Sequence, residues 1–138
     1  MANIAVVYWS GTGNTESMAN AMMEHLAEGG HSASLIPVAS FSVEQVGDYE
    51  NFIFGCSASG AETLEESEFL PVWEAVKGEL ANKSVALFGS YGWGDGEFMQ
   101  TWQDDCADSD IEVVGTVICS GEPDEEIIEA CKALTSKF

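Results

Sequence analysis

Ser10-Gly11-Thr12-Gly13-Asn14-Thr15 decides the reading of this chain. It follows the apolar run Ile4-Ala5-Val6-Val7-Tyr8-Trp9 and leads into a helix-like run from Glu16 to Leu26. A strand, a tight turn and a helix start in immediate succession make an anion site. Free backbone N–H groups at a helix N-terminus point outward and carry partial positive charge. Gly11 and Gly13 let the backbone curl round a ligand. Ser10, Thr12 and Thr15 add hydroxyl donors, and Asn14 an amide. The loop holds no Lys or Arg, so neutral dipoles would have to bind any phosphate here. An ordinary turn with helix-capping residues is the plainer alternative, disfavoured by six consecutive small or polar residues in this setting.

The 138 residues suffice for one domain with a full core. They contain no run of about 20 apolar residues for a membrane span. The N-terminus opens directly into a strand without a charged leader, so no signal peptide is expected, and the chain is expected in the cytoplasm. The charge is lopsided: 24 Asp and Glu face 4 lysines, for a formal net charge of −20. Only Glu16, Glu24 and Glu28 precede Glu44. Such a chain repels nucleic acid and anionic membranes and attracts a basic protein partner. A solvated acidic coat explains the same charge equally well. Cys56, Cys106, Cys119 and Cys131 are too far apart for a CxxC pair, a zinc knuckle or an iron–sulfur run, so no metal is expected. Cys56 and Cys119 read as buried small hydrophobes, and His25 and His31 as solvated.

Strand-like runs fall at Ile4–Trp9, Ala33–Val38, Asn51–Ser57, Ser84–Ser90 and Glu112–Cys119. Most are continuously apolar, as expected for strands covered on both faces. Helical spacing marks Thr15–Glu28, about Leu64–Leu80, about Glu97–Asp108 and Asp124–Ser136, with a short turn at Ser42–Val46. Pro71 implies either a kink in the second helix or a start nearer Leu70. The alternation argues for an α/β fold, a five-stranded parallel sheet with helices on both faces. Ligands in such sheets bind outside the C-terminal strand ends. The loops to read are therefore those after the first, third and fourth strands.

Ser57-Ala58-Ser59-Gly60-Ala61-Glu62 is small, flexible at Gly60, and ends in a carboxylate. Ser90-Tyr91-Gly92-Trp93-Gly94-Asp95-Gly96 interleaves glycines with two exposed-looking aromatics, an arrangement suited to stacking on a flat ligand. Together with Tyr8-Trp9 and the first loop, this wording resembles the flavodoxins, and among them the short-chain clostridial type. The resemblance covers essentially the whole chain as a single domain. It implies a three-layer sandwich with strand order 2-1-3-4-5, that fold being itself one of the standing examples of the strand-end rule. It also implies non-covalently bound FMN and a low-potential one-electron carrier working between redox proteins. By the resemblance, Ser10, Gly11, Thr12, Gly13, Asn14 and Thr15 with Ser57 hold the FMN phosphate. Trp93 stacks on the isoalloxazine, within Ser90, Tyr91, Gly92, Gly94 and Gly96. Ala58, Ser59, Gly60, Ala61 and Glu62 follow its N5 and N3 edge. Ser59 stands where clostridial relatives carry Met, and Ala61 where they carry an acid or small polar residue.

No residue is assigned a catalytic role. A dinucleotide loop needs a third glycine where Glu16 stands, and a nucleotide-hydrolysing loop needs a lysine that the chain lacks before Lys77. A low-molecular-weight phosphatase needs Cys and Arg in the loop, and a receiver domain needs acids where Tyr8, Trp9 and Ser10 stand. An FMN-dependent quinone or nitro reductase is the remaining alternative, though no segment is spare for a nicotinamide pocket. The acids Glu62, Glu65, Glu66, Glu68 and Asp95 form the expected docking edge for basic redox partners, and a monomer is expected.

Overall fold

The computed structural model of the chain describes residues 3–9, 13–59, 63–64, 67–81, 83–91 and 96–138, with the backbone course alone at 58–59 and 63–64. Its centre is β1 (Asn3–Trp9), which pairs in parallel with β2 (Ser32–Pro37) on one side and β3 (Asn51–Cys56) on the other. β4 (Ser84–Tyr91) and β5 (Glu112–Ser120) continue the sheet, giving the order β2-β1-β3-β4-β5. This is the 2-1-3-4-5 arrangement that the resemblance implied.

Side chains alternate across β1. Ala5 and Val7 join the layer of α2 (Phe69–Val76) and α3 (Glu97–Asp108), while Ile4 and Val6 join the layer of α1 (Asn14–Glu28) and α4 (Glu125–Thr135). All four are fully buried, which is why the strand is written as an unbroken apolar run. In β5 the partner of Val85 is Val113 and that of Ala86 is Gly115, so Val114 is the extra residue of a bulge. All four cysteines are buried free thiols, and burial pushes Cys106 and Cys131 up to about 12, leaving them unreactive at neutral pH. Among the described residues no helix is long and apolar enough to cross a membrane.

Two expectations need correction. The second helix begins at Phe69, beside the Leu70 start that Pro71 allowed and not at Leu64, and passes after Val76 into a 3-10 turn over Lys77–Glu79. Leu64 instead pairs with Ala58 in a two-residue antiparallel ladder, Ala58–Ser59 against Thr63–Leu64. Pro71 lies in the first turn of α2, where backbone N–H groups have no intrahelical acceptor to lose. His25 and His31 are half-buried rather than solvated. The His25 Nδ1 lies 2.6 Å from the Thr135 hydroxyl. That hydroxyl donates its proton to the Lys132 carbonyl, so the ring donates from Nδ1, joining α1 to α4. The turn expected at Ser42–Val46 is a 3-10 helix over Val43–Asp48, closed by a reciprocal Ser42–Gln45 capping box.

Asp105 ties α2 to α3. Its carboxylate accepts the Trp73 indole N–H at 2.7 Å and the Lys77 ammonium at 3.0 Å. Burial pushes this carboxyl up, but the indole and Lys77 together hold it below its ordinary value. A lowered folded-state pKa stabilises the fold above the unfolded value of 3.8 and loses that contribution as pH falls through the folded value. Asp105→Asn should therefore unfold in urea with about 1–2 kcal/mol less stability at neutral pH. The gap should close in acid, and a deficit independent of pH would contradict the role given to the charge.

Candidate functional site

Thr15, Ser57 and Ser90 meet at the C-terminal ends of β1, β3 and β4. α1 starts from Gly13, whose φ of +94° is left-handed and strained for any residue with a side chain. Its first turn carries Asn14, half-buried, and Thr15, fully buried. Thr15 turns its hydroxyl under the helix end, with its Oγ1 2.7 Å from the Ser57 Oγ and 3.0 Å from the Ser90 Oγ. Ser57 and Ser90 stand 3.4 Å apart and are themselves buried. Three hydroxyls from three separate elements thus close a triangle at the head of the sheet.

Glycine makes that triangle possible. Gly89 precedes Ser90 on β4, and a Cβ there would strike the backbone carbonyl of Cys56, the residue before Ser57 on β3. Only a residue without a side chain lets the two strands approach this closely. Gly96, at the head of α3, has φ of +76°, and a Cβ there would lie 2.7 Å from Ile118 Cδ1 and 3.3 Å from the Tyr91 ring. Tyr91 is accordingly half-buried against Phe98, not the exposed ring that its flanking glycines suggested. Its carbonyl accepts the Gly121 N–H at 2.8 Å, tying the fourth connection to the end of β5.

Ala58 and Ser59 form one strand of the short ladder, whose register sets Ser59 opposite Thr63. Ser10, Gly11, Thr12, Gly60, Ala61, Glu62, Gly92, Trp93 and Gly94, with Glu65, Glu66 and Asp95, lie outside the described residues. Glu68 is exposed at the head of α2. A cleft of about 290 Å³ opens beside the first connection, between Tyr8, Trp9, Pro37 and Glu68. In it the Tyr8 hydroxyl donates to Glu16 at 3.0 Å. Burial and that carboxylate both push the phenol up. Sequence reading gave no sign of this cleft, because β2 contributes to it only through its tertiary place beside β1.

The four lysines lie elsewhere. Lys77 pairs with Asp105 and Glu74, Lys83 donates to the Tyr49 carbonyl, and Lys132 and Lys137 belong to the C-terminal region. The donor set at the strand ends is uncharged: hydroxyls, an amide, and the positive end of a 15-residue helix. Such a set suits a phosphate ester carried by a larger group.

A doubly wound sheet with uncharged hydroxyls gathered at its strand ends places the chain among the flavodoxin-like α/β folds. The chain belongs to the flavodoxin family, whose model it matches over residues 6–133. It is of the short-chain clostridial type. It is 44% identical to the flavodoxin of Clostridium beijerinckii over 121 residues, 87% of this chain and 88% of that one. It is 38% identical to the flavodoxin of Megasphaera elsdenii, with 95% and 94% covered. The solution structure of two-electron reduced Megasphaera elsdenii flavodoxin superposes with a TM-score of 0.87 at 37% identity, over 96% of this chain and 98% of that one. Flavodoxins bind FMN and carry electrons, and this chain is an FMN-binding electron carrier rather than an enzyme. The reductase alternative is therefore set aside.

Gly89→Ala should lower unfolding free energy by about 1–3 kcal/mol, because the neighbouring strand must move to admit the methyl group. Denaturant titration measures this, and a variant as stable as the parent would contradict the close approach of β3 and β4.

Proposed function

We propose that the FMN phosphate is held by Ser10, Thr12, Asn14, Thr15 and Ser57 together with the backbone N–H groups at the start of α1. The observation that carries this is the buried hydroxyl triangle beneath the first turn of α1. Buried hydroxyls are costly unless partnered, and a group of them at a helix start is useful to an anion ligand. Bound FMN supplies one- and two-electron redox chemistry. The chain's own part is to hold and shield it. Trp93 stacks on the ring and excludes water, with Tyr91 and Gly96 fixing the base of that loop. Ser59, Gly60, Ala61 and Glu62 line the N5 and N3 edge. Glu62 and Asp95, with no cation among the binding residues, disfavour added negative charge on the ring and so favour a low potential.

The chain works as a monomer in the cytoplasm, exchanging electrons with redox proteins that present basic surfaces. The net charge of −20 supports that choice, as does exposed Glu68 beside the first and third connections. Apoprotein titrated with FMN should quench the flavin's fluorescence at about one equivalent, and the loaded protein should exchange electrons with basic redox proteins while leaving NADH unoxidised. Failure to take up FMN, or unaided NADH oxidation, would overturn the reading.

A further inference from the structure

Glu16 is the third residue of α1. From that position a carboxylate reaches back to the free N–H groups at the helix start, which attract it as they attract any anion. A glutamate there is a rival for the groups assigned above to the phosphate. It carries a full charge and is tethered to the site, so it competes at every concentration of ligand.

The fold turns this rival aside. The Tyr8 hydroxyl donates to Glu16 Oε2 at 3.0 Å. Tyr8 lies on β1 opposite Pro37 of β2, and Tyr8, Glu16 and Pro37 line one cleft. Thr15, the neighbour of Glu16, turns the other way, to Ser57 after β3 and Ser90 on β4. β1 lies between β2 and β3 in the sheet. The first turn of α1 thus sends its buried hydroxyl to the β3 side and its carboxylate to the β2 side. The described residues that line the cleft include no lysine, so a neutral donor makes the hold. It fixes the carboxylate without setting a cation beside the site.

We propose that Tyr8 is a positioning residue for the phosphate of FMN: its hydroxyl draws the Glu16 carboxylate to the β2 side and so leaves the N–H groups of α1 to the ligand. The proposal rests on the phosphate assignment made above. It acts through Glu16, so its consequences vanish when that carboxylate is removed.

The test titrates the apoprotein, by flavin fluorescence, with FMN and with riboflavin, which has the same ring and ribityl chain but no phosphate. Tyr8→Phe keeps the ring and loses the donor. It should weaken FMN binding about fivefold, the worth of a carboxylate at a helix start, and leave riboflavin binding unchanged. Glu16→Ala removes the rival and should bind FMN at least as tightly as the parent. In that background Tyr8→Phe should have no further effect. Glu16→Asp keeps the charge on an arm one methylene shorter, too short to hold the bond to the phenol. It should show the same selective loss, and it serves alone if Tyr8→Phe does not fold. A loss of equal size for both flavins would make Tyr8 a packing residue and overturn the proposal, as would no loss for either. A Tyr8→Phe effect that persists beside Glu16→Ala, or a Glu16→Ala loss as large as that of Glu16→Asp, would overturn it too. Should the parent protein bind FMN no better than riboflavin, the phosphate assignment itself falls, an outcome distinct from those above.

Discussion

The site depends on how closely β3 and β4 run beside each other where Gly89 meets Cys56. That approach brings Ser57 and Ser90 to within 3.4 Å and sets both beneath the first turn of α1. The third hydroxyl, from Thr15, is fixed by the helix, and the helix by Gly13 in a left-handed conformation. Two glycines without side-chain chemistry thus decide where three polar groups meet. The sheet beneath is rigid because β1, β3 and β4 are buried on both faces, so little freedom remains for the hydroxyls to drift apart.

Holding an anion this way has a physical logic in so acidic a chain. A cation in the loop would bind phosphate more strongly, but it would also stabilise negative charge on a nearby ring. Uncharged donors attract the phosphate over short range and add no net charge to the site. On the proposed assignment, the protein would grip one end of its cofactor firmly while its overall field would disfavour electron accumulation at the other. On the proposed reading, the same field would draw in basic partners, so that the surface charge would serve delivery of the electron as well as its energy.

The sheet was legible in the sequence because most of its strands are continuous apolar runs, and the burial of Ile4 to Val7 on both faces explains that pattern. The start of α2 was legible only through Pro71, which allowed a start near Leu70 beside the longer reading from Leu64. Residues 62–68 are rich in glutamate, a good helix former, while the ladder at 58–59 and 63–64 is too short to leave a periodic trace. Tyr91 misled for a different reason: Gly96 leaves room for Ile118 and for the Tyr91 ring, which packs on Phe98. The loops carrying Thr15, Ser57 and Ser90 could each be marked as polar turns. Their meeting could not be read, since Thr15 and Ser90 lie 75 positions apart and only the fold brings them together. His25 on Thr135, across 110 positions, escaped notice for the same reason.

Whether the phosphate is gripped by uncharged donors can be asked of the salt dependence of binding. Dissociation constants for FMN and riboflavin should be measured from about 0.01 M to about 0.5 M salt, over which the screening length falls from about 30 Å to under 10 Å. With no cation at the site and a surrounding charge of −20, screening should relieve repulsion of the dianion. FMN should therefore bind more tightly as salt rises while riboflavin scarcely changes. Steady weakening of FMN with salt, the mark of an ion pair, would contradict the account.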